Sequence, residues 1–314
     1  MPRVGYRLVA NVERAEPSSL RSGDSDARRR SQEIRYCTTV DGIRLAYATI
    51  GEGPPLVKAS NWLTHLDLEW ESPIWRHWWA ELSRYSRIVR YDERGNGMSQ
   101  RDIPHVTFET WVQDLETVVD AAGLERFPLL GISRGGSIAI AYAVRHPERV
   151  SHLILYGAFA AGLKYRGTVE EIKARRALVE LTRLGWGLQN PAFCRVFTRR
   201  FLPHATPDHE EWFDELQRIS TSSENAARLM EADDEIDVRS LLPLVRVPTL
   251  VLHCDHDHAV PPKCGHHIAA AISGARYVSL PSPNHLILAD EPAWQIFVDA
   301  LGDFLGWRTL SGEQ

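Results

Sequence analysis

Cysteine and methionine are scarce in this chain, four and three among 314 residues. Cys37, Cys194, Cys254 and Cys264 show no Cys-x-x-Cys spacing, a pattern that suits reduced thiols in a cytosolic protein. No run of apolar residues is long enough to cross a membrane, and the N-terminus lacks the apolar centre of a signal peptide. The expectation is therefore a cytoplasmic protein with no membrane partner. Positive charge is not in excess either: 36 Lys and Arg stand against 41 Asp and Glu, a formal net charge of −5, so no basic surface for nucleic acid is expected. What the chain does have is length and apolar content. With 44% hydrophobic residues over 314 it can bury a large core.

The most informative stretch is Pro128-Leu129-Leu130-Gly131-Ile132-Ser133-Arg134-Gly135-Gly136, followed by the helical pattern Ser137 to Ala143. An apolar run ending in Gly-x-Ser-x-Gly reads as a strand turning sharply into a helix with a serine at the apex. Side chains at Gly131 or Gly135 would clash where strand and helix crowd together. The helix starting near Arg134 would aim its free N–H groups and positive dipole end at the space around Ser133, a place for a developing oxyanion. Read alone, the same residues also fit a Gly/Ser-rich βα loop with no chemistry.

Two further strands follow downstream. Pro248 to Cys254 is β-branched and apolar and runs into Asp255-His256-Asp257-His258-Ala259-Val260-Pro261; Arg276 to Leu280 runs into Pro281-Ser282-Pro283-Asn284-His285. Serine, acid and histidine, each just after a strand end, stand in the chain order of a nucleophile–acid–base triad. In these motifs the sequence resembles the α/β-hydrolase fold family from about Ile34 to Leu305. The resemblance implies an α/β fold with a mostly parallel central sheet of about eight strands, helices on both faces and a helical cap. It also implies Ser133 as nucleophile, His285 as base, and an acid just ahead of the segment leading to Val260-Pro261, which is Asp257, with Asp255 as the alternative. The acid would accept the imidazole N–H of His285 and fix its tautomer.

Taken in order, residues 1–33 read as a mobile tail rich in Arg, Ser, Glu and Asp, with Arg28-Arg29-Arg30 near its end. Within it, Arg3 to Ala10 resembles the closing hairpin of a response-regulator-type winged-helix domain, which would make the chain part of a larger regulator or a descendant of one. No recognition helix is present, so DNA binding is not expected. The core opens with Ile34 to Thr39, the turn Val40-Asp41-Gly42 and Ile43 to Thr49, a hairpin signal that makes the sheet start antiparallel. The strand Pro55 to Ala59 leads into Ser60-Asn61-Trp62, where family members commonly carry His-Gly. The resemblance implies as oxyanion donors the backbone N–H groups of Trp62, with Asn61 as the alternative, and of Arg134.

Trp70, Trp75, Trp78 and Trp79 read as packing, and His65 as structural, whereas Trp62 lies where substrate would pass. Asp92-Glu93-Arg94-Gly95-Asn96-Gly97-Met98-Ser99 resembles the family's turn after the fourth strand. Its role is read as architectural, with Asp92 and Arg94 tying the loop. Trp111, Leu115, Val118, Val119 and Ala122 recur at helical spacing ahead of Gly123. Residues 158–246 read as the cap, with helices over 169–184, 191–201, 207–219 and 223–230; its Arg175, Arg176, Arg195, Arg199 and Arg200 raise the question of which one turns inward to hold a carboxylate. Core resumes at 247–306, closing in a helix from about Asp290 with Trp294, Phe297, Val298, Leu301 and Phe304 buried, and 307–314 reads as a tail.

The chemistry expected from these parts needs no cofactor and no metal. His253, Asp255 and Asp257 on alternate positions could instead be metal ligands, but no further partner set accompanies them. His256, His258, His266 and His267 read as surface residues. A serine nucleophile argues against dehalogenase and epoxide hydrolase activities, which use a carboxylate. Esterases, lactonases, carbon–carbon bond hydrolases and cofactor-free haloperoxidases remain, and hydrolysis of a small ester, lactone or related carbonyl substrate asks least of the site. A ligand sensor of the same fold and a purely structural interaction protein are the competing classes.

Overall fold

The computed structural model describes residues 32–186 and 191–307. The Arg-rich segment, the hairpin-like stretch at Arg3 to Ala10 and residues 308–314 lie outside the described residues.

Eight strands form one sheet in the order β1-β2-β4-β3-β5-β6-β7-β8. β1 (Gln32–Thr38) and β2 (Arg44–Ile50) make the expected hairpin, with Gly42 at φ +85° in the turn. β1 starts at Gln32, two residues into the stretch read as a tail, because Gln32 still pairs with Ile50. β2 also runs antiparallel to β4 (Arg87–Tyr91). From there β3 (Pro55–Lys58), β5 (Phe127–Ile132), β6 (Val150–Tyr156), β7 (Thr249–Cys254) and β8 (Arg276–Leu280) are parallel. β7 is buried at every position, as a strand covered on both faces must be.

Alternation along the strands divides the core. Val57, Leu129, Leu153 and Val251 pack to one face with α3 (Phe108–Ala121) and α4 (Arg134–Arg145). Leu56, Leu130, Ile154 and Leu252 pack to the other with α2 (Arg76–Leu82) and α11 (Pro292–Leu305). Trp75, Trp78 and Trp79 are packing residues on that second face, Trp75 and Trp79 stacked at 5.5 Å. His65 caps the short α1 (Leu66–Trp70), accepting from Leu68 N at 3.3 Å. Thr107 and Thr110 form a capping box at the start of α3, and Gly123 ends it at φ +65°.

Between β6 and β7 the described residues contain helices and no named strand: α5 (Leu163–Arg166), α6 (Val169–Gly185), α7 (Pro191–Phe201), α8 (Pro207–Ser220) and α9 (Ser223–Asp234), then a 3₁₀ turn at Arg239–Leu244. α9 runs four residues beyond the 223–230 read from sequence. Its last turn is acidic and lacks an apolar repeat, so tertiary ion pairs with Arg134 and Arg175 carry it instead. α10 (Lys263–Ala271) fills the β7–β8 crossover. Trp307, read as the first tail residue, is buried and stacks on Tyr85 at 4.9 Å.

Candidate active site

β5 ends at Ile132 and α4 begins at Arg134, so Ser133 alone makes the turn, at φ +53° and ψ −123°. A non-glycine residue in that region is strained and must be held from outside. Here Ser133 N–H donates to Tyr156 O at 2.9 Å on the neighbouring strand. The crowding that the sequence suggested is real: a Cβ on Gly131 would sit 2.6 Å from Gly135 O, and one on Gly135 would sit 2.7 Å from Ser60 O. The backbone N–H groups of Arg134 and Trp62 have no acceptor among the described residues. Asn61 and Trp62 follow the end of β3, whose line continues through Ala59 N–H donating to Leu130 O at 2.9 Å.

His285 follows β8 in a loop fastened from two directions. Its N–H donates to Phe201 O at 2.8 Å, and its carbonyl accepts from the Tyr156 hydroxyl at 2.7 Å. Asp257 Oδ2 lies 2.5 Å from His285 Nδ1, while Oδ1 accepts from Ala259 N and Val260 N at 2.8 and 2.9 Å. Burial raises the Asp257 pKa, but the imidazole and its hydrogen bond outweigh this and hold the carboxyl below the usual range. Gly157, at φ +54°, leaves room for the ring: a Cβ there would be 2.8 Å from His285 Cε1. Asp255 points elsewhere, is exposed, and pairs with the Ser279 hydroxyl. His285 Nε2 is buried without a partner among the described residues, and Ser133 and His285 line one small cavity with Asn61, Trp62 and Phe201.

The proposed metal trio is not gathered. His253 Nε2 bonds Val260 O at 2.8 Å and lies 3.6 Å from Asp257, Asp255 faces away, and no cluster of metal-ligating side chains occurs among the described residues. His256, His258, His266 and His267 are exposed.

Three side chains near the site escaped sequence reading. Lys58 is buried at the end of β3, 5.9 Å from the ring centres of both Trp75 and Trp79, and it donates to Asn61 Oδ1; burial pushes its pKa down to about 8. Glu93, in the β4 turn, bonds Arg134 of the elbow at 2.5 Å. Arg134 in turn reaches Asp233 of α9 at 3.1 Å and lies 4.0 Å from the Trp111 ring. Arg166 lines a larger cavity that Ser133 also lines. A buried charge on β3 and an acid one place away from the motif positions carry no periodic signal, so only the fold reveals them. The β4 turn also does more than tie itself: Gly97 N–H donates to Ser220 O at 2.7 Å, and Gly95 O accepts from the Thr221 hydroxyl at 2.6 Å and from Asn225 Nδ2. That turn therefore anchors the junction of α8 and α9.

The larger cavity lies between the elbow and the inserted helices, with about 680 Å³ of empty space partly open to solvent. Trp62, Ser133, Phe159, Phe197 and Met230 contribute to its wall.

A family model described as the alpha/beta hydrolase fold matches residues 70–292. The chain belongs to the α/β-hydrolase fold family. Within that family it is 27% identical over 266 residues to a pyrrolizixenacetamide deacetylase of Xenorhabdus hominickii, covering 85% of this chain and 96% of the relative. Among solved structures it resembles an esterase from Exiguobacterium antarcticum, with TM-score 0.74, 25% identity, and 86% of this chain and 98% of that one covered. It also resembles an enol-lactonase from Burkholderia xenovorans LB400, with TM-score 0.68, 27% identity, and 87% and 100% covered. The family match, with these likenesses, makes the protein a member of a hydrolase family. No helix among the described residues is long and apolar enough to cross a membrane.

Proposed function

We propose that the protein is a serine hydrolase of a carboxylic ester or lactone, working through Ser133, His285 and Asp257. The observation that carries this is the 2.5 Å contact between Asp257 Oδ2 and His285 Nδ1, with the opposite ring nitrogen buried and unpartnered in the cavity that Ser133 lines. In this reading His285 Nε2 takes the Ser133 hydroxyl proton as Oγ attacks the carbonyl carbon. Asp257 stabilises the imidazolium, and the Trp62 and Arg134 backbone N–H groups receive the oxyanion. The imidazolium then protonates the leaving alcohol, and water, deprotonated by the same nitrogen, releases the acyl group. The hydrogen bond from Ser133 to His285 that this requires tightens on substrate binding. The deacetylase, esterase and enol-lactonase likenesses support cleavage next to a carbonyl, and the inserted helices serve as the cap that shapes the acyl and alcohol pockets.

The test is labelling by a fluorophosphonate probe, mapped by mass spectrometry. Ser133 is expected to label rapidly in the folded wild type, Ser133→Ala to lose that label, and His285→Ala to slow it by on the order of 10⁴-fold. An unlabelled Ser133 in folded protein would sink the mechanism and favour a ligand sensor of the same fold.

A further inference from the structure

Four arginines and two aspartates line the larger cavity beside Ser133: Arg134, Arg166, Arg175 and Arg200 with Asp233 and Asp234. Both carboxylates are engaged. Asp233 takes Arg134 at 3.1 Å, and Asp234 takes Arg175 Nε at 3.1 Å. Arg166 and Arg200 make no ion pair among the described residues, although Asp234 lies within electrostatic reach of both. The contrast with the rest of the molecule is sharp, because the fully buried Arg90, Arg94 and Arg134 face Glu69, Asp114 and Glu93 at 2.7, 2.6 and 2.5 Å.

The Arg166 side chain makes no hydrogen bond or ion pair with any described residue, and only the backbone N–H is engaged, donating to Gly162 O at 3.2 Å. Its Nε is buried and unpartnered, and its guanidinium lies over the Phe159 ring at 5.5 Å. Arg200 has one long hydrogen bond, 3.4 Å from its terminal nitrogen to Ala259 O. Its side chain is exposed to solvent, and partial desolvation of the guanidinium, with Arg175 and Arg166 nearby, lowers its pKa against the pull of Asp257 and Asp234. The buried Arg166 Nε costs free energy unless something satisfies it, and the second cation at the same wall adds repulsion that an anion would relieve. A planar carboxylate matches the fork of guanidinium donors, and both arginines share a cavity with the nucleophile.

We propose that Arg166 and Arg200 form a carboxylate-binding subsite, so that the substrate is an ester or lactone carrying a free carboxylate a few atoms from its scissile carbonyl. The inference rests on the hydrolase reading above for the reaction, and on the cavity wall alone for the anion. Arg175, the inward candidate already neutralised by Asp234, serves as wall. Arg195 and Arg199 are spent on Glu210.

The experiment compares 4-nitrophenyl butyrate with mono-4-nitrophenyl glutarate at matched ionic strength, and measures glutarate binding by calorimetry. Wild type is expected to prefer the anionic ester by about tenfold or more in kcat/KM. Arg166→Gln and Arg200→Gln are each expected to lower that ratio by about tenfold, mostly through KM, and to weaken glutarate binding equally. Arg166→Lys and Arg200→Lys, which keep the charge without the fork, should fall between, and they decide the matter if a Gln variant does not fold. A wild-type ratio near one, a ratio unmoved in folded variants, or the absence of glutarate binding overturns the subsite. The two readings fail separately: arginine-dependent glutarate binding with an unlabelled Ser133 leaves the subsite and removes the hydrolase, while a labelled Ser133 and a hydrolysed neutral ester without anion preference do the reverse.

Discussion

The elbow and the inserted helices meet at one cavity but are built differently. Around Ser133 the geometry is held by backbone: a strained turn, glycines where an added Cβ would sit 2.6 Å from a main-chain oxygen, and main-chain bonds to Tyr156 and Phe201. The inserted helices add to a buried apolar face a network of side-chain charge, with Arg175 on Asp234, Arg195 on Glu210 and Asp214, and Arg183 on three glutamates. Backbone-held atoms keep their places when surface side chains change. A wall of side-chain charge can be rewritten one residue at a time, which under the proposed function would suit a catalytic element on one side and a selective one on the other.

The largest effect expected from this contrast is at the acid. Asp257→Asn keeps the shape but takes the charge from the imidazole and disturbs its tautomer, and it should slow fluorophosphonate labelling of Ser133 by on the order of 10⁴-fold. Asp255→Asn, two residues away and facing Ser279, should stay within about twofold of wild type. Equal losses in both variants would return Asp255 to the reckoning and undo the division between a precise loop and its tolerant neighbour.

The same division explains what could be read from sequence. The Gly-x-Ser-x-Gly turn, the strand ends at Cys254 and Leu280 and the helix 191–201 were visible because local rules produce them: period-two burial, glycine at crowded backbone, proline at a helix start. The spatial pairing of Asp257 rather than Asp255 with His285 rests on the turn at Ala259 and Val260, which only resemblance suggested. The direction of the arginines was illegible. Arg166 lies on a four-residue helix outside the arginines singled out, and Arg195 and Arg200 occupy one helix yet one meets Glu210 and the other the cavity. Side-chain partners that come from sequence-distant helices have no local signature. The same holds for Glu93, which lies inside a recognised motif but acts through Arg134, 41 residues on.

Glu93 offers a sharper test, since it joins the two regions through Arg134. Burial raises its carboxyl from the ordinary 4.5 to about 8, against the pull of Arg134, whose charge is also shared with Asp233. The folded protein then keeps a proton that the unfolded chain releases near 4.5. Stability should therefore fall as pH rises between about 4.5 and about 8. Glu93→Gln removes this group, so its unfolding free energy should decline less than that of wild type across the window, by on the order of 1 kcal/mol or more. Urea titrations at several pH values measure the difference. Parallel profiles would mean that Glu93 is ionised throughout and that the elbow is held by a full ion pair.

The smallest expected effects separate the two ways the inserted helices are attached. Asn225 Nδ2 donates to Gly95 O at 3.3 Å and to Arg101 O at 2.8 Å, bridging α9 to the β4 turn in a buried setting. Asn225→Ala leaves those carbonyls with fewer donors and should cost about 1–3 kcal/mol of unfolding free energy. Arg183 contacts Glu180, Glu224 and Glu231, whose side chains are 71%, 50% and 50% exposed. Water and salt screen those charges, so Arg183→Ala should cost about 1 kcal/mol or less, with the difference shrinking further in high salt. Thermal melts of both variants in low and high salt order the two. If Arg183→Ala proved the more damaging, the inserted helices would depend on their outer charge network more than on the hydrogen-bonded hinge at Gly95, and their position over Ser133 would vary with ionic strength.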